Sequence, residues 1–217
     1  MEMSVLIERY PVLYHMAEKD TWPDIRGKGL LSTSAALDRY NLTDAVRAAL
    51  EILHRPEKVA IGTEADRIVL RDQKPMHPSR LEKALIDGTT PSEWYAFLNN
   101  KVFMWAEERR LFGLLNARGY RNLEHDVLTI DTKSLMEVHG DRVWLCHMNS
   151  GNTFPMPHAR GMDTFKRVAD YPTNRDGGPR KEVVEVVVDY SIPDIANFVR
   201  EVRRIKGTEV LRQVPLR

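Results

Sequence analysis

The chain of 217 residues has a single cysteine, Cys146. One cysteine can form neither an internal disulfide nor a thiolate metal cluster, and this scarcity favours a reducing compartment. Long apolar runs are missing too, since no stretch approaches the ~20 consecutive apolar residues that a membrane span needs. Glu2 and Glu8 bracket the only apolar run near the N-terminus, which lacks the layout of a signal peptide. We expect a cytoplasmic protein without a membrane partner.

An excess of charge of one sign is also missing. The formal net charge is +1, so nothing draws the whole molecule to nucleic acid, and binding to DNA or RNA would require a local patch. The C-terminal segment offers one candidate, because its basic residues outnumber the acidic ones: Arg200, Arg203, Arg204, Lys206, Arg212 and Arg217. These residues form either a basic strip or an ordinary solvated face.

Several common site motifs are absent. No glycine-rich phosphate loop of the P-loop or Rossmann type occurs, and Gly177-Gly178-Pro179 lacks the strand and helix context, so it predicts a turn. No Gly-x-Ser-x-Gly elbow is present. His139, His147 and His158 share a region but do not have the spacing of a metal site. We therefore predict no bound metal.

The opening of the chain has a distinctive order of elements. Residues 13–16, Leu-Tyr-His-Met, predict a short buried strand that carries His15. Thr21 can cap a helix that opens with Trp22-Pro23, because proline fits the first turn of a helix. Gly29 can then end this helix in the left-handed conformation. An extended piece with hydroxyl side chains follows over residues 30–34.

The rest of the chain mixes helical and extended patterns without repeats or long linkers. Its 42% hydrophobic and 29% charged residues are typical of a globular protein, and we predict one domain over residues 1–217. The helical patterns cover residues 34–40, 43–53, 79–86, 90–99, 107–116, 132–138 and 162–169. The extended patterns cover residues 59–61, 65–71, 101–105, 127–131, 143–146 and 182–188, and residues 198–206 form a last strand or helix. Loops are predicted over residues 149–161 and 171–181.

Glu185 is the most informative single residue. Alternation along the strand places Val183, Glu185 and Val187 on one face. A carboxylate in the middle of a valine-rich strand is costly to bury unless it has partners. It is therefore either a surface glutamate on a half-exposed edge strand or a functional carboxylate.

Two windows of the chain resemble the ADP-ribosyltransferase superfamily, especially the DarT-like nucleic-acid ADP-ribosyltransferases. The first is the opening unit, with Tyr14-His15, Trp22-Pro23, Ile25 and Gly29-Leu30-Leu31-Ser32. The second is a glutamate on a valine-rich strand followed by a proline-containing turn, residues 184–195. The resemblance is to the superfamily, within which we expect a bacterial family. It implies an α+β fold whose split, mostly antiparallel β-sheet carries helical insertions, here at residues 34–55 and 79–100.

The resemblance implies roles for residues in both windows. Glu185 would bond the nicotinamide ribose of NAD and stabilise the oxocarbenium-like cation as nicotinamide leaves, which is electrostatic preorganisation. His15 would bond the adenosine-side ribose, or it is a satisfied core histidine, and Tyr14 beside it is a cofactor contact or a core residue. Ser32 and Thr33 would bond the nicotinamide or ribose portion, or they cap the following helix.

The middle of the chain offers further candidates by the same resemblance. Phe103 or Trp105 would stack on nicotinamide, although an aromatic strand also suits the core. An arginine would grip the pyrophosphate or assist transfer, with Arg71 the first candidate and Arg160 the second. Either guanidinium could pair bidentately with phosphate, and either could equally form a surface salt bridge.

The function implied is an NAD-dependent ADP-ribosyltransferase, a glycosyltransferase of toxin type. Enzymes of the superfamily that modify arginine carry a second glutamate or glutamine two residues before the catalytic glutamate, and Val183 stands there in this chain. This favours a DNA or RNA base as acceptor, and an antitoxin or hydrolase is a possible partner. The alternatives are a non-catalytic NAD or nucleotide-binding module, an NAD glycohydrolase and an RNA 2′-phosphotransferase on the same fold.

Overall fold

The computed structural model describes all residues, 1–217. The helices are α1 Met3–Arg9, α2 Trp22–Lys28, α3 Thr33–Arg39, α4 Asp44–Glu51, α5 Pro78–Ala84, α6 Pro91–Asn99, α7 Glu108–Leu115 and α8 Thr132–His139. The strands are β1 Val12–Glu18, β2 Leu30–Leu31, β3 Val59–Gly62, β4 Arg67–Leu70, β5 Lys101–Trp105, β6 Glu124–Asp131, β7 Val143–Cys146, β8 Phe165–Arg167, β9 Glu185–Asp189, β10 Ser191–Ile192, β11 Val199–Lys206 and β12 Glu209–Val214. Short 3₁₀ turns lie at Gly140–Arg142, Met162–Thr164 and Ile195–Asn197.

One antiparallel sheet of eight strands organises the molecule, in the order β12-β11-β6-β1-β5-β9-β7-β8. The two halves meet between β1 and β5, where only Tyr14 and Trp105 are paired. By contrast, β1 is paired with β6 along its whole length, and β5 with β9 likewise. The sheet is therefore two well-formed halves joined by a single residue pair. Two small sheets, β2 with β10 and β3 with β4, stand apart from it.

The faces of the sheet are covered by different elements. The largest core cluster joins α1, α2 and α8 to one face of the sheet, through residues such as Leu6, Leu13 and Val186. On the other face, Leu111 and Leu115 of α7 pack against Val127 and Ile205. A third cluster, around Trp94 of α6 and Phe165 of β8, covers the β9 end. Alternating side chains along β9 thus enter separate clusters, as the strand period requires.

The two windows that carry the resemblance are in direct contact. Leu30 and Leu31 of β2 pair with β10, which follows the glutamate strand β9. Gly29 has a φ of +84°, and a Cβ atom there would lie 2.6 Å from the Cα atom of Pro193. Only glycine fits this backbone conformation and this close approach. The fold therefore brings residues from opposite ends of the chain to one place.

The structure confirms the expected α+β class and the mostly antiparallel sheet, with helices in both predicted insertions. The predicted helix over residues 162–169 is wrong. It is a short turn followed by β8, because Phe165 is buried against Trp94 and Phe97 while the strand pairs with β7. Thr21 does not cap α2, since its hydroxyl donates to the Glu18 carbonyl instead. No helix has the length and apolar character that crossing a membrane requires.

Candidate active site

A cleft of about 370 Å³ opens where β1 and β5 diverge. All five residues of β5 line it, together with four consecutive residues of β1, Met16 among them. Consecutive residues of a strand point to opposite faces of a sheet, so the cleft passes through the gap between the two halves. The segment 29–33, β4 and the residues 149–151 complete its walls.

His15 lies at this gap. Its Nδ1 is 2.7 Å from the carbonyl oxygen of Phe103 on β5, so the imidazole spans the two strands where their backbones have separated. Because a carbonyl can only accept, Nδ1 carries the hydrogen and Nε2 is left as an acceptor. Burial lowers the pKa of His15 to about 4. The histidine is therefore neutral at physiological pH and offers Nε2 to a hydroxyl group.

Glu185, the first residue of β9, lines the cleft and is only 4% exposed. Its neighbours across the sheet are Trp105 and Cys146, so β9 is a central strand and not an edge. One carboxylate oxygen, Oε1, accepts a bond of 3.1 Å from the Ser150 backbone N–H, and Oε2 has no partner. Burial raises the pKa of Glu185 to about 7, and the bonds from Ser150 oppose this rise.

Arg160 supports this carboxylate from behind and does not line the cleft. The fully buried guanidinium donates to the backbone carbonyls of Ser150, at 2.7 Å, of Asn152 and of His158. These bonds fix the backbone whose N–H contacts Glu185. Burial lowers the pKa of Arg160, and the nearby charge of Glu185 opposes this effect. Arg160 therefore holds the loop in place, and it is not positioned to grip a pyrophosphate in the cleft.

Arg71 directly follows β4 and also lines the cleft. Its Nη1 is 3.5 Å from a carboxylate oxygen of Glu18 and 3.3 Å from Nδ1 of His125, and its guanidinium lies 5.6 Å from the centre of the Tyr120 ring. Nη2 is buried and has no partner. Glu18 also pairs with Lys58, so it only partly neutralises Arg71. The free N–H groups can therefore receive an anion.

Thr33 and Ser32 have different roles. The Ser32 hydroxyl accepts from the Ala35 backbone N–H and so caps α3, with Ser32 only 3% exposed. The Thr33 hydroxyl accepts from Arg55 at 3.3 Å. Both residues line the cleft, but only Thr33 has a hydroxyl that is not used by the helix cap.

Arg55 was not among the candidates from the sequence. It is 6% exposed and donates to the Arg71 carbonyl, the Asn99 side chain and Thr33 without touching a carboxylate. Burial lowers its pKa to about 10, so it stays charged. A buried cation whose partners are neutral adds positive potential to the cleft. The sequence signal, Arg55-Pro56 after a helix, indicated only a helix end.

The aromatic candidates divide between the cleft and the core. Phe103 and Trp105 both line the cleft. Tyr14 does not, and its ring packs against Leu111 and Leu115 of the α7 cluster. The structure thus brings together seven of the nine candidates: His15, Ser32, Thr33, Arg71, Phe103, Trp105 and Glu185. No group of three or more histidine, cysteine, aspartate or glutamate side chains is arranged to hold a metal ion.

Comparison with known proteins identifies the family of this chain but assigns it no activity. Residues 11–199 match a family described as a family of unknown function, DUF7002. No curated protein matches the chain.

Proposed function

This chain belongs to DUF7002, a family of unknown function, and from its cleft we propose that it is an NAD-dependent ADP-ribosyltransferase. The proposal combines the resemblance of the two windows with the geometry of their residues. NAD would lie in the gap between the two half-sheets, with its pyrophosphate towards Arg71 and Arg55 and its nicotinamide ribose towards Glu185.

One observation carries the proposal. Three groups with unused hydrogen-bonding capacity belong to residues that line one cleft. Nη2 of Arg71 and Oε2 of Glu185 are buried without a partner, and His15 bonds through Nδ1 and leaves Nε2 free. Buried polar groups are normally paired, and a group that is not demands an explanation. A ligand with phosphates at one end and a ribose diol at the other would satisfy a cation, a neutral acceptor and a carboxylate together.

The proposed reaction breaks one bond at C1′ of the nicotinamide ribose and forms another at the same atom. The bond between nicotinamide and C1′ of its ribose breaks, and nicotinamide leaves as a neutral base with the bonding electron pair. Positive charge develops on the ribose, where the Glu185 carboxylate stabilises it. A lone pair of the acceptor then forms the new bond to C1′, and the acceptor loses a proton to water. Glu185 must be ionised for this role, and a pKa of about 7 leaves a large fraction ionised at neutral pH.

The acceptor we propose is a base in DNA or RNA. Val183, two residues before the glutamate, is fully buried in the core and leaves no second carboxylate or amide to orient an arginine. We expect the reaction to take place in the cytoplasm, and we propose as partner an antitoxin or a hydrolase that removes the modification.

The proposal is tested by incubating the pure protein with NAD labelled in the adenosine half, alone and with single-stranded DNA, RNA or lysate protein. Released nicotinamide and transferred label are followed separately. We expect transfer to nucleic acid with one nicotinamide released per label. Release without any transfer would indicate an NAD glycohydrolase instead, and tight NAD binding without release would indicate a binding module.

A second candidate, an RNA 2′-phosphotransferase, is favoured by one observation. Two arginines, Arg55 and Arg71, line the same cleft, and this is the kind of cationic surrounding that an RNA phosphate needs. It is tested with an oligoribonucleotide that carries an internal 2′-phosphate. NAD-dependent loss of that phosphate, with no label left on the RNA, would support this candidate over the transferase.

A further inference from the structure

Phe154 and Met156 are the two most exposed large apolar side chains of the molecule, with 63% and 68% of their surface in solvent. They lie in the segment 149–161, whose first three residues line the cleft. Isolated apolar residues on a surface are ordinary. Here two of them lie close together in sequence, three and five residues beyond the wall of a proposed active site.

The backbone under Phe154 is tied down on both sides. The Thr153 N–H and hydroxyl both donate to the carbonyl of Pro75, a residue of the cleft wall, and the Thr153 hydroxyl also accepts from the His77 N–H. Arg160 donates to three carbonyls of the same segment. The ring is therefore displayed on a preorganised support, which lowers the entropic cost of binding.

Arg80 of α5 contacts both the Phe154 ring and the backbone next to it. Its guanidinium lies 4.8 Å from the centre of the Phe154 ring, and its Nη1 donates to the Pro155 carbonyl at 2.6 Å. It forms no salt bridge, so its charge is not neutralised by a carboxylate. We call Phe154, Met156 and Arg80 together the Phe154 platform. It offers an aromatic surface and an uncompensated, planar cation side by side.

Positive charge predominates around the platform, and Glu82 is the one acidic residue of α5. The two segments that form it, residues 73–81 and 147–161, contain no aspartate or glutamate. His77, Arg80 and Lys83 follow one another at three-residue spacing, so they are neighbours along the surface of α5. Lys83 is exposed and forms no salt bridge. A polyanion with flat, stackable groups complements such a surface better than a polypeptide does.

We propose that the Phe154 platform binds single-stranded nucleic acid, with one base stacked on Phe154 and the adjoining phosphates at Arg80 and Lys83. This inference rests on the proposed function, because it names the surface that delivers a base to the cleft. Aromatic rings stack with any base, and the contact tolerates different sequences. The strand passes the mouth of the cleft at residues 149–151, where a neighbouring base reaches the ribose of NAD.

The test measures oligonucleotide binding without NAD. Fluorescein-labelled single-stranded DNA and RNA of roughly 12 nucleotides, a length that one site of this kind can cover, are titrated with the protein and followed by anisotropy. Phe154→Ser should weaken binding roughly 5- to 150-fold, the range for the loss of one stacked base. Arg80→Gln should also lower the slope of log K against log salt by about 0.7, the value for one phosphate contact on a single strand.

Matched controls lie on β12, at the opposite edge of the sheet. Leu211→Ser removes an apolar side chain that is 41% exposed, and Arg212→Gln removes one exposed positive charge. Neither should change the affinity. If these variants weaken binding as much as Phe154→Ser does, the C-terminal basic strip is the binding surface and the proposal is overturned. Unchanged affinity in Phe154→Ser would also overturn it, and so would a parent protein that binds neither oligonucleotide.

The competing partner is a protein acceptor. Label transfer to a lysate protein that is lost in Phe154→Ser, with unchanged oligonucleotide affinity, would overturn the nucleic-acid assignment in favour of a polypeptide. Failure of the proposed function is a separate result. A parent protein that binds the oligonucleotides through Phe154 but releases no nicotinamide from NAD supports the platform and contradicts the transferase.

Discussion

At the scale of single residues, the environment of Glu185 decides what the cleft can do. The carboxylate is buried in a central strand, with one oxygen bonded to the Ser150 N–H and the other free. Burial makes its charge costly, and the cleft has open hydrogen-bonding capacity on both walls. A carboxylate kept near its point of ionisation is suited to stabilise a cation that exists only during the reaction.

The pH dependence of nicotinamide release follows from this environment. Burial raises the pKa of Glu185 to about 7, and the ionised form is the active one in the proposed reaction. The value of kcat/KM should therefore rise about tenfold per pH unit on the acid side and level off above about pH 8. His15, whose pKa is about 4, stays neutral over this range and adds no further ionisation to the pH profile of kcat/KM. A profile that is flat between about pH 5 and pH 8 would contradict the role of Glu185.

The same pKa predicts a stability effect with a definite sign. The pKa of Glu185 rises from its ordinary 4.5 to about 7 on folding, so between these values the folded state binds more protons and stability falls as pH rises. Glu185→Gln has no such penalty. Its free energy of unfolding should exceed that of the parent by about 3 kcal/mol at about pH 8 and by about 1 kcal/mol or less at about pH 5.

Urea denaturation of both proteins at the two pH values measures this difference. Glu182→Gln is the matched control, because Glu182 is exposed and its pKa is lowered by Arg110 and Arg109. Its substitution should not stabilise the protein at any pH. A Glu185→Gln protein that is less stable than the parent at the higher pH would mean that the buried carboxylate is fully compensated.

At the scale of elements, the start of α3 carries two adjacent hydroxyl groups with different roles. The Ser32 hydroxyl stabilises the helix, and the Thr33 hydroxyl lies at the cleft. Ser32 caps α3, and the Thr33 hydroxyl accepts from the buried Arg55. The order β2, cap and helix places both on the cleft wall. Ser32 is therefore a structural residue that lines the cleft, and experiments on single variants can distinguish its role from that of Thr33.

We expect Ser32→Ala to lower the free energy of unfolding by about 1 kcal/mol, because one N–H of the first turn of α3 loses its acceptor. Thr43→Ala is the control, since Thr43 precedes α4 without capping it by a side-chain bond. Its effect should be smaller. Thermal unfolding of the two variants measures the difference, and an equal loss of stability in both would show that the Ser32 bond contributes nothing.

Local signals in the sequence were sufficient for most elements. The helix predicted over residues 90–99 forms as α6, with a capping box of Thr90 and Glu93 at its start, and β5 matches the strand predicted over residues 101–105. The prediction failed where long-range packing decides. Phe165 pairs with Cys146 and is buried beside Trp94, and no local pattern shows these partners. Likewise, Arg160 was recognised as a candidate, but its burial behind Ser150 depends on the path of the whole loop.

At the scale of the whole molecule, the two half-sheets are joined by one residue pair, Tyr14 with Trp105, and by the bond from His15 to Phe103. Directly paired strands lie about 5 Å apart, so Glu185, two strands from β1, is roughly 10 Å from it across the sheet. The closeness of His15 and Glu185 could not be foreseen from the sequence, because most of the length of the chain separates these two residues. The order of strands in the large sheet and the pairing of β2 with β10 bring the two windows together.

A ligand that contacts both halves should stabilise the molecule. NAD at about 100 times its Kd should raise the free energy of unfolding by about 2.7 kcal/mol, which shifts the melting temperature by roughly 5 to 10 °C for a chain of this size. His15→Asn keeps a donor for the Phe103 carbonyl and removes the Nε2 acceptor, so the shift should shrink. Differential scanning calorimetry measures it. Equal shifts in parent and variant would place NAD away from His15.

The most direct test compares two glutamates three residues apart. Nicotinamide release from NAD is measured for the parent, Glu185→Gln and Glu182→Gln, with NAD affinity measured alongside. We predict that Glu185→Gln loses about 100- to 1000-fold in rate, the usual effect of removing one preorganised electrostatic group, and still binds NAD. Glu182→Gln, which alters only the exposed ion pairs with Arg109 and Arg110, should keep the parent rate. Release that is undiminished in Glu185→Gln, or absent from the parent with every acceptor, would contradict the assignment.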